Sequence, residues 1–207
     1  MPSARPRPPA ATPEDLDAIR ALAFVNTLSG RPTAAPVERL VSYDALTAWA
    51  REAGLLKGDD AERLVGRGRR RAADCERIVE RARDLRELLH QTFTAAAAGK
   101  TPAATTLSAL SAHLSRWYAH GRLVPADDRL QWVYEGADDL ERPLWEVARA
   151  ATRLLTSPLL ARVRACAAAD CEWWFLDDTK NASRRWCDMK ICGNRDKVRR
   201  FRARSRG

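Results

Sequence analysis

The sequence lacks any long hydrophobic run. No uninterrupted apolar stretch approaches the roughly 20 residues of a membrane-spanning helix, so a helical membrane protein is excluded. Histidine is scarce: His90, His113 and His120 are the three copies, scattered along the chain. There is also no glycine-rich phosphate loop, nucleophile elbow or HExxH motif. The acidic pairs Asp127/Asp128 and Asp138/Asp139 fall at expected turns and caps. No catalytic residues are therefore assigned, and the chain is not expected to be an enzyme. Lysine is rare as well, with 5 copies against 31 arginines. That imbalance, with abundant alanine, reads as the coding bias of a GC-rich genome. Where the charge lies is then more informative than the number of arginines. The first thirteen residues hold five prolines and two arginines but no apolar stretch. They read as a disordered leader (1–13) rather than a secretory signal, which makes the cytoplasm the expected location.

What is present suits a globular chain. Its 207 residues are 45% apolar and 30% charged, enough for one large domain or an ordinary domain with an appendage. Apolar spacing predicts a helix from Glu14 to about Leu28, with Leu16, Ile19, Leu22/Ala23 and Val25 on its buried face. Ser42 is a good N-cap for a helix reaching Gly54, and a short helix follows from Asp59/Asp60. The clearest helix spans about Arg71–Ala98, with Cys75, Ile78, Ala82, Leu85, Leu89 and Phe93 on one face and Gly99 at its end. Further helices are expected over Ala103–Ala119 and Leu140–Leu155. Between them Arg122–Pro125 and Leu130–Tyr134 read as a hairpin. The expected fold class is mainly α: a helical domain over 14–160 with a small β-hairpin, then a small β-hairpin-and-helix module over 161–207.

That module holds four of the five cysteines, in the pattern Cys166-x4-Cys171-x15-Cys187-x4-Cys192. Two close pairs separated by a medium loop suit a tetrahedral zinc ion. Four thiolates fill the shell and leave no open position, so the metal would be one structural Zn²⁺. Two disulfides or an iron–sulfur cluster are the competing uses, disfavoured by a reducing compartment and by the basic surroundings respectively. A module this small also needs a staple, because its apolar core alone is insufficient. Cys75 reads instead as a buried small hydrophobe.

Between the pairs, Glu172–Leu176 predicts a strand returning antiparallel along Arg184–Cys187. A last helix is expected from Asn194 to Arg204. From Cys166 to Gly207 the net charge is +5, and the last sixteen residues alone carry +6. Arg195, Lys197, Arg199, Arg200, Arg202 and Arg204 lie on that helix, with Arg206 beyond, while Val198 and Phe201 are expected to pack inward. Arginines in such an array bind phosphate bidentately or read guanine, and Arg184 and Arg185 would add backbone contacts. Some of the arginines could instead neutralise the metal centre, whose four thiolates and Zn²⁺ sum to −2. Gly193 would allow a tight turn beside the metal, and Asn194 would cap the helix or bond a cysteine sulfur.

The run Cys171-Glu172-Trp173-Trp174-Phe175-Leu176-Asp177 … Arg184-Arg185-Trp186-Cys187-Asp188-Met189 … Cys192-Gly193-Asn194-Arg195 resembles the CGNR zinc-finger family. The string Leu22-Ala23-Phe24-Val25-Asn26-Thr27-Leu28 is similar to the opening signature of the ABATE domain, which commonly precedes such a finger. The resemblance implies four cysteine zinc ligands and a bacterial, stress-related transcriptional regulator, and the expected order of hairpin then helix at the last ligand itself resembles a treble clef. Two departures stand out: Ala23 replaces an expected Asp, and Phe201 replaces an expected His. The implied function is a DNA-binding regulator whose helical domain senses a ligand or mediates assembly, as a homodimer for example. RNA binding, ribosome association, or a ligand- or protein-binding module with a purely structural zinc are the alternatives.

Overall fold

A computed structural model describes residues 12–204. Most of the leader and Arg206 lie outside the described residues. Seven α-helices and three two-stranded antiparallel ladders make up the described chain.

Helix α1 (Pro13–Val25) begins with a reciprocal cap: the Thr12 hydroxyl accepts from Asp15 N, and the Asp15 carboxylate accepts from Thr12 N. Thr12 and Pro13 thus belong to the helix start rather than to the leader. The buried face differs from the one expected. Ala18, Ala21, Leu22, Phe24 and Val25 are buried, whereas Leu16 and Ile19 are 42% and 51% exposed. Small alanines let α6 approach closely, and Asp17 fixes the rotation. Its buried carboxylate accepts from Arg149 and Arg153 of α6, each at 2.9 Å. An ion pair reaching across 132 residues outweighs two leucine-sized side chains in choosing the face.

A ladder of β1 (Leu28–Ser29) and β2 (Val37–Glu38) follows, and local sequence gave no sign of it. Buried Arg86 secures it by a bidentate bond to Glu38, at 2.6 Å for each oxygen. Helices α2 (Tyr43–Glu52) and α3 (Gly58–Gly68) come next. Ser42 caps α2 as expected, its side chain accepting from Ala45 N at 3.1 Å.

Helix α4 (Ala72–Ala97) is the central strut, with Ile78, Ala82, Leu85, Leu89 and Phe93 buried along one stripe. Helix α5 (Ala104–Tyr118) packs beside it, and α6 (Arg142–Leu155) packs against α5 and covers α1. One carboxylate joins α4, α5 and the start of α6. Glu141 accepts from Arg81 (2.5 Å), Arg116 (2.9 Å) and the Trp117 indole (3.0 Å). Burial pushes its pKa up, but the Arg116 and Trp117 hydrogen bonds and the Arg81 charge outweigh that and hold it below the ordinary value.

The hairpin of β3 (Gly121–Ala126) and β4 (Arg129–Tyr134) has the expected turn, with Asp127 at φ +50°. Gly121 is required by space. A Cβ there would lie 2.2 Å from the Trp132 ring on the partner strand. A 3₁₀ turn (Pro158–Arg162) leads to the last ladder.

Candidate metal centre

Strand β5 (Val163–Ala165) pairs with β6 (Trp174–Leu176), with Arg164 opposite Phe175. The expected partner of β6, residues 184–187, forms no strand, and only one backbone bond reaches back from it, Ala167 N to Arg185 O at 2.8 Å. The segment after β6 is instead organised around buried Asp177. Its carboxylate accepts from Thr179 N and Oγ1 and from Arg184 N. Those bonds fold 177–184 into a closed loop, so Arg184 cannot run on as an extended strand.

The loops bring four sulfurs together. Cys166 directly follows β5, and Cys171 closes a turn in which its N–H donates to Ala168 O. Glu172 follows at φ +57°, a left-handed residue that turns the chain back into β6. Cys192 lies in a π turn (Met189–Gly193), held by the Asp188 carboxylate accepting from Ile191 N at 2.9 Å. All four Sγ atoms lie within 4.8 Å of one another.

The spacing tests the metal directly. Zn–S bonds of about 2.3 Å in a tetrahedron set sulfur–sulfur edges of about 3.8 Å. Here Cys171 and Cys187 are 3.7 Å apart, and Cys187 and Cys192 are 3.6 Å apart. A disulfide requires about 2.05 Å, and all five cysteines are free thiols. Without a cation the cluster resists joint ionisation. Burial pushes Cys171 up to about 11, and burial together with neighbouring Cys192 pushes Cys187 up as well. A bound divalent ion reverses that balance and holds all four as thiolates. No open coordination position remains, so the ion stabilises the fold and performs no chemistry.

The residues around the sulfurs divide by what they touch. The Arg195 guanidinium donates to Cys192 Sγ at 3.4 Å and pairs with Asp170 at 3.2 Å. Arg199 meets the same Asp170 at 3.4 Å. Asp170 therefore ties the first knuckle to helix α7 (Asn194–Arg204). Arg200 pairs with Asp196 along the helix. Arg184 lies over the Phe175 ring and bonds the carbonyls of Trp186 and Cys187, inside the module. Arg185 is exposed, with its guanidinium 5.1 Å from the Trp186 ring. Lys197, Arg202 and Arg204 are exposed and form no ion pair among the described residues.

Three details differ from expectation. Val198 and Phe201 are 48% and 71% exposed rather than packed inward, because the knuckle side of α7 is held by Arg195 and Arg199 through charge. Asn194 donates to Lys190 O at 3.0 Å and bonds no sulfur; Arg195 does that instead. Gly193 has an ordinary φ. A Cβ there would sit 2.4 Å from the thioether of Met189, an exposed and flexible side chain that can move aside, so the turn places no strict demand for glycine.

The module is fixed to the helical body. Asn26 clamps the backbone of Trp174 at two points, donating to its carbonyl at 2.9 Å and accepting from its N–H at 2.8 Å. The Trp174 ring enters the body core, edge-on to His90 and tilted on Phe93. Asn26 and Trp174 both stand in the strings that carried the family resemblance, but neither string shows that they meet.

Comparison with known families agrees with this architecture. Residues 18–158 match the ABATE model, described as "putative stress-induced transcription regulator". Residues 162–205 match the CGNR zinc-finger model. No curated protein matches the chain. The cluster of Cys166, Cys171, Cys187 and Cys192 is thus the structural zinc site of a CGNR finger, and the chain belongs to the ABATE family, with that finger at its C-terminal end.

Proposed function

We propose that this chain is a DNA-binding transcriptional regulator that lays α7 against the phosphate backbone. The observation that carries this function is the set of exposed cations Lys197, Arg202 and Arg204, with Lys197 and Arg204 seven apart on one face and Arg202 on the side of Arg195 and Arg199, on a helix whose other basic residues are engaged with Asp170, Asp196 or a sulfur. Cations without internal partners attract a polyanion without losing an existing bond. The rigid attachment through Asn26 and Trp174 supports it further, because a docked helix keeps its orientation relative to the body. Arg199, which holds Asp170, is assigned to the finger's own architecture.

The test replaces Lys197, Arg202 and Arg204 by Ala in the full, zinc-loaded chain. Duplex affinity should fall, and the slope of log affinity against log salt should shrink by up to about 0.9 per lost phosphate contact. Zinc content should stay at one per chain. Unchanged affinity would remove α7 from the interface, and preference for structured RNA over duplex at equal salt would change the partner.

A second function has its own observation. A cleft of about 580 Å³ lies between α1 and the finger, lined by Ile19, Leu22, Ala23, Trp173, Phe175 and Leu176 among others. A small apolar effector there would touch both parts and bias how they sit. We assign no catalysis. His90, His113 and His120 each lie against a tryptophan ring.

A further inference from the structure

The body carries a basic surface of its own, far from the finger. Gly66-Arg67-Gly68-Arg69-Arg70-Arg71 joins α3 to α4, and all four arginines are exposed. Arg71 pairs with Asp74 at 2.5 Å. Arg67, Arg69 and Arg70 form no ion pair among the described residues. Like charges this close repel, so the arrangement costs stability unless an anion answers it.

The turn is held as a rigid mount. Gly68 is buried beneath it, where a Cβ would meet Cys75 Sγ at 2.9 Å and the Tyr43 ring at 3.2 Å. The Cys75 thiol faces the Gly68 carbonyl at 3.6 Å, and backbone bonds from Arg70 and Arg71 close the turn. Gly66 has open space around it, and a shallow depression of about 380 Å³ is lined by Gly66, Arg67, Arg70 and Arg71. Helix α4 starts directly after, and Arg71 offers no side-chain cap to its first amides. The positive end of a 26-residue helix therefore adds to the arginine field.

We infer that this turn is a second phosphate-binding surface, through which the helical body contacts the backbone of the same nucleic acid that the finger binds. The inference rests on the nucleic-acid reading of α7. Along α4, at 1.5 Å per residue, Arg71 lies about 28 Å from His90, where the finger docks. A pinned turn adds no backbone ordering cost on binding, and guanidinium forks suit phosphate oxygens.

The experiment compares the zinc-loaded parent with Arg67→Ala/Arg69→Ala/Arg70→Ala and with the corresponding triple Lys variant, measuring affinity for duplex DNA at 50 and 200 mM salt. A slope of about 0.9 per phosphate makes each contact worth roughly 3.5-fold over that salt range. If all three arginines touch phosphate, the parent's affinity should drop about 40-fold more steeply with salt than the Ala variant's. The Lys variant should keep most of the parent's slope, which separates charge from any folding defect. A triple Ala variant with the parent's affinity and slope overturns the inference. If the α7 variant has lost binding at the same time, the finger reading stands alone. A parent that binds no nucleic acid overturns both. Capture by phosphatidylserine vesicles that depends on these arginines, with DNA binding unaffected, would assign the turn to a lipid surface and overturn it as well.

Discussion

Replacing Asn26 by Ala should loosen the finger from the body while leaving the zinc site intact. The side chain makes two short bonds to one residue, at 2.9 and 2.8 Å, and both partners are backbone groups of Trp174. Removing it leaves an N–H and a C=O at the part-buried seam without partners. At such a seam each orphaned group costs about 1–2 kcal/mol, in the lower part of the range for buried groups, so the pair should cost about 2–4 kcal/mol of docking free energy. At 1.4 kcal/mol per factor of ten, docking weakens by roughly 30- to 700-fold. Amide exchange of 163–176 in the zinc-loaded protein reads this directly, because the β6 amides should exchange faster while those of α4 and α6 hardly change. If the finger and body melt together, the midpoint should fall by about 4–16 °C, taking 2–4 °C per kcal/mol for a chain of this size. Asn26→Asp keeps the acceptor for Trp174 N–H but sets an anion against its carbonyl, so it should not restore docking. Unchanged exchange over 163–176 in Asn26→Ala, with the midpoint within 1 °C of the parent as the chosen threshold, would show that the clamp does not hold the finger.

Other outcomes follow from the same geometry. Elemental analysis should find one zinc per chain, and Cys187→Ser should lose it and unfold the finger, since metal binding in such modules contributes on the order of 10 kcal/mol; a metal-free Cys187→Ser finger with native exchange protection would contradict the ligand set. Glu141→Gln should cost about 2 kcal/mol at neutral pH by weakening charge-assisted bonds to Arg81, Arg116 and Trp117. Because the Glu141 pKa is held below its ordinary value, its stabilisation is full above the unfolded-state pKa and fades as pH falls below about 4. Denaturant melts should therefore show the parent and Glu141→Gln converging in acid, and curves that stay parallel would reject that role. Gly121→Ala should destabilise by about 1–3 kcal/mol, because the new methyl overlaps the Trp132 indole; a neutral effect in thermal melts would mean that the hairpin yields easily.

How much could be read from residues alone follows from the range of the interactions. Ser42 as a cap, the apolar stripe of α4 and the Asp127 turn are short-range signals, and each appears where the spacing put it. The cysteine pairs are likewise a local pattern with one strong chemical use. The exposed Leu16 and Ile19 mark where local hydrophobicity stops being sufficient. The face of α1 is chosen by Arg149 and Arg153, which no window around residue 17 contains. Strands of three residues, such as β5 and β6, are too short to show a period, so β5 escapes notice in the sequence and β6 is matched to the wrong neighbour. On α7, Val198 and Phe201 follow an inward spacing, but Asp170 pins the helix by charge and the two stay exposed.

The clamp between Asn26 and Trp174 also has a consequence in time. Those residues are 148 positions apart, and Asp17 waits 132 positions for Arg149. At about 5–20 residues per second, a ribosome needs roughly 7–26 s to go from the first member of the Asp17 pair to the second. Throughout that interval Ala18, Ala21, Leu22 and Val25 have neither α6 nor β6 to cover them. The helix made first is therefore among the last to be covered, and the nascent chain should engage a holding chaperone until the finger emerges and takes its zinc.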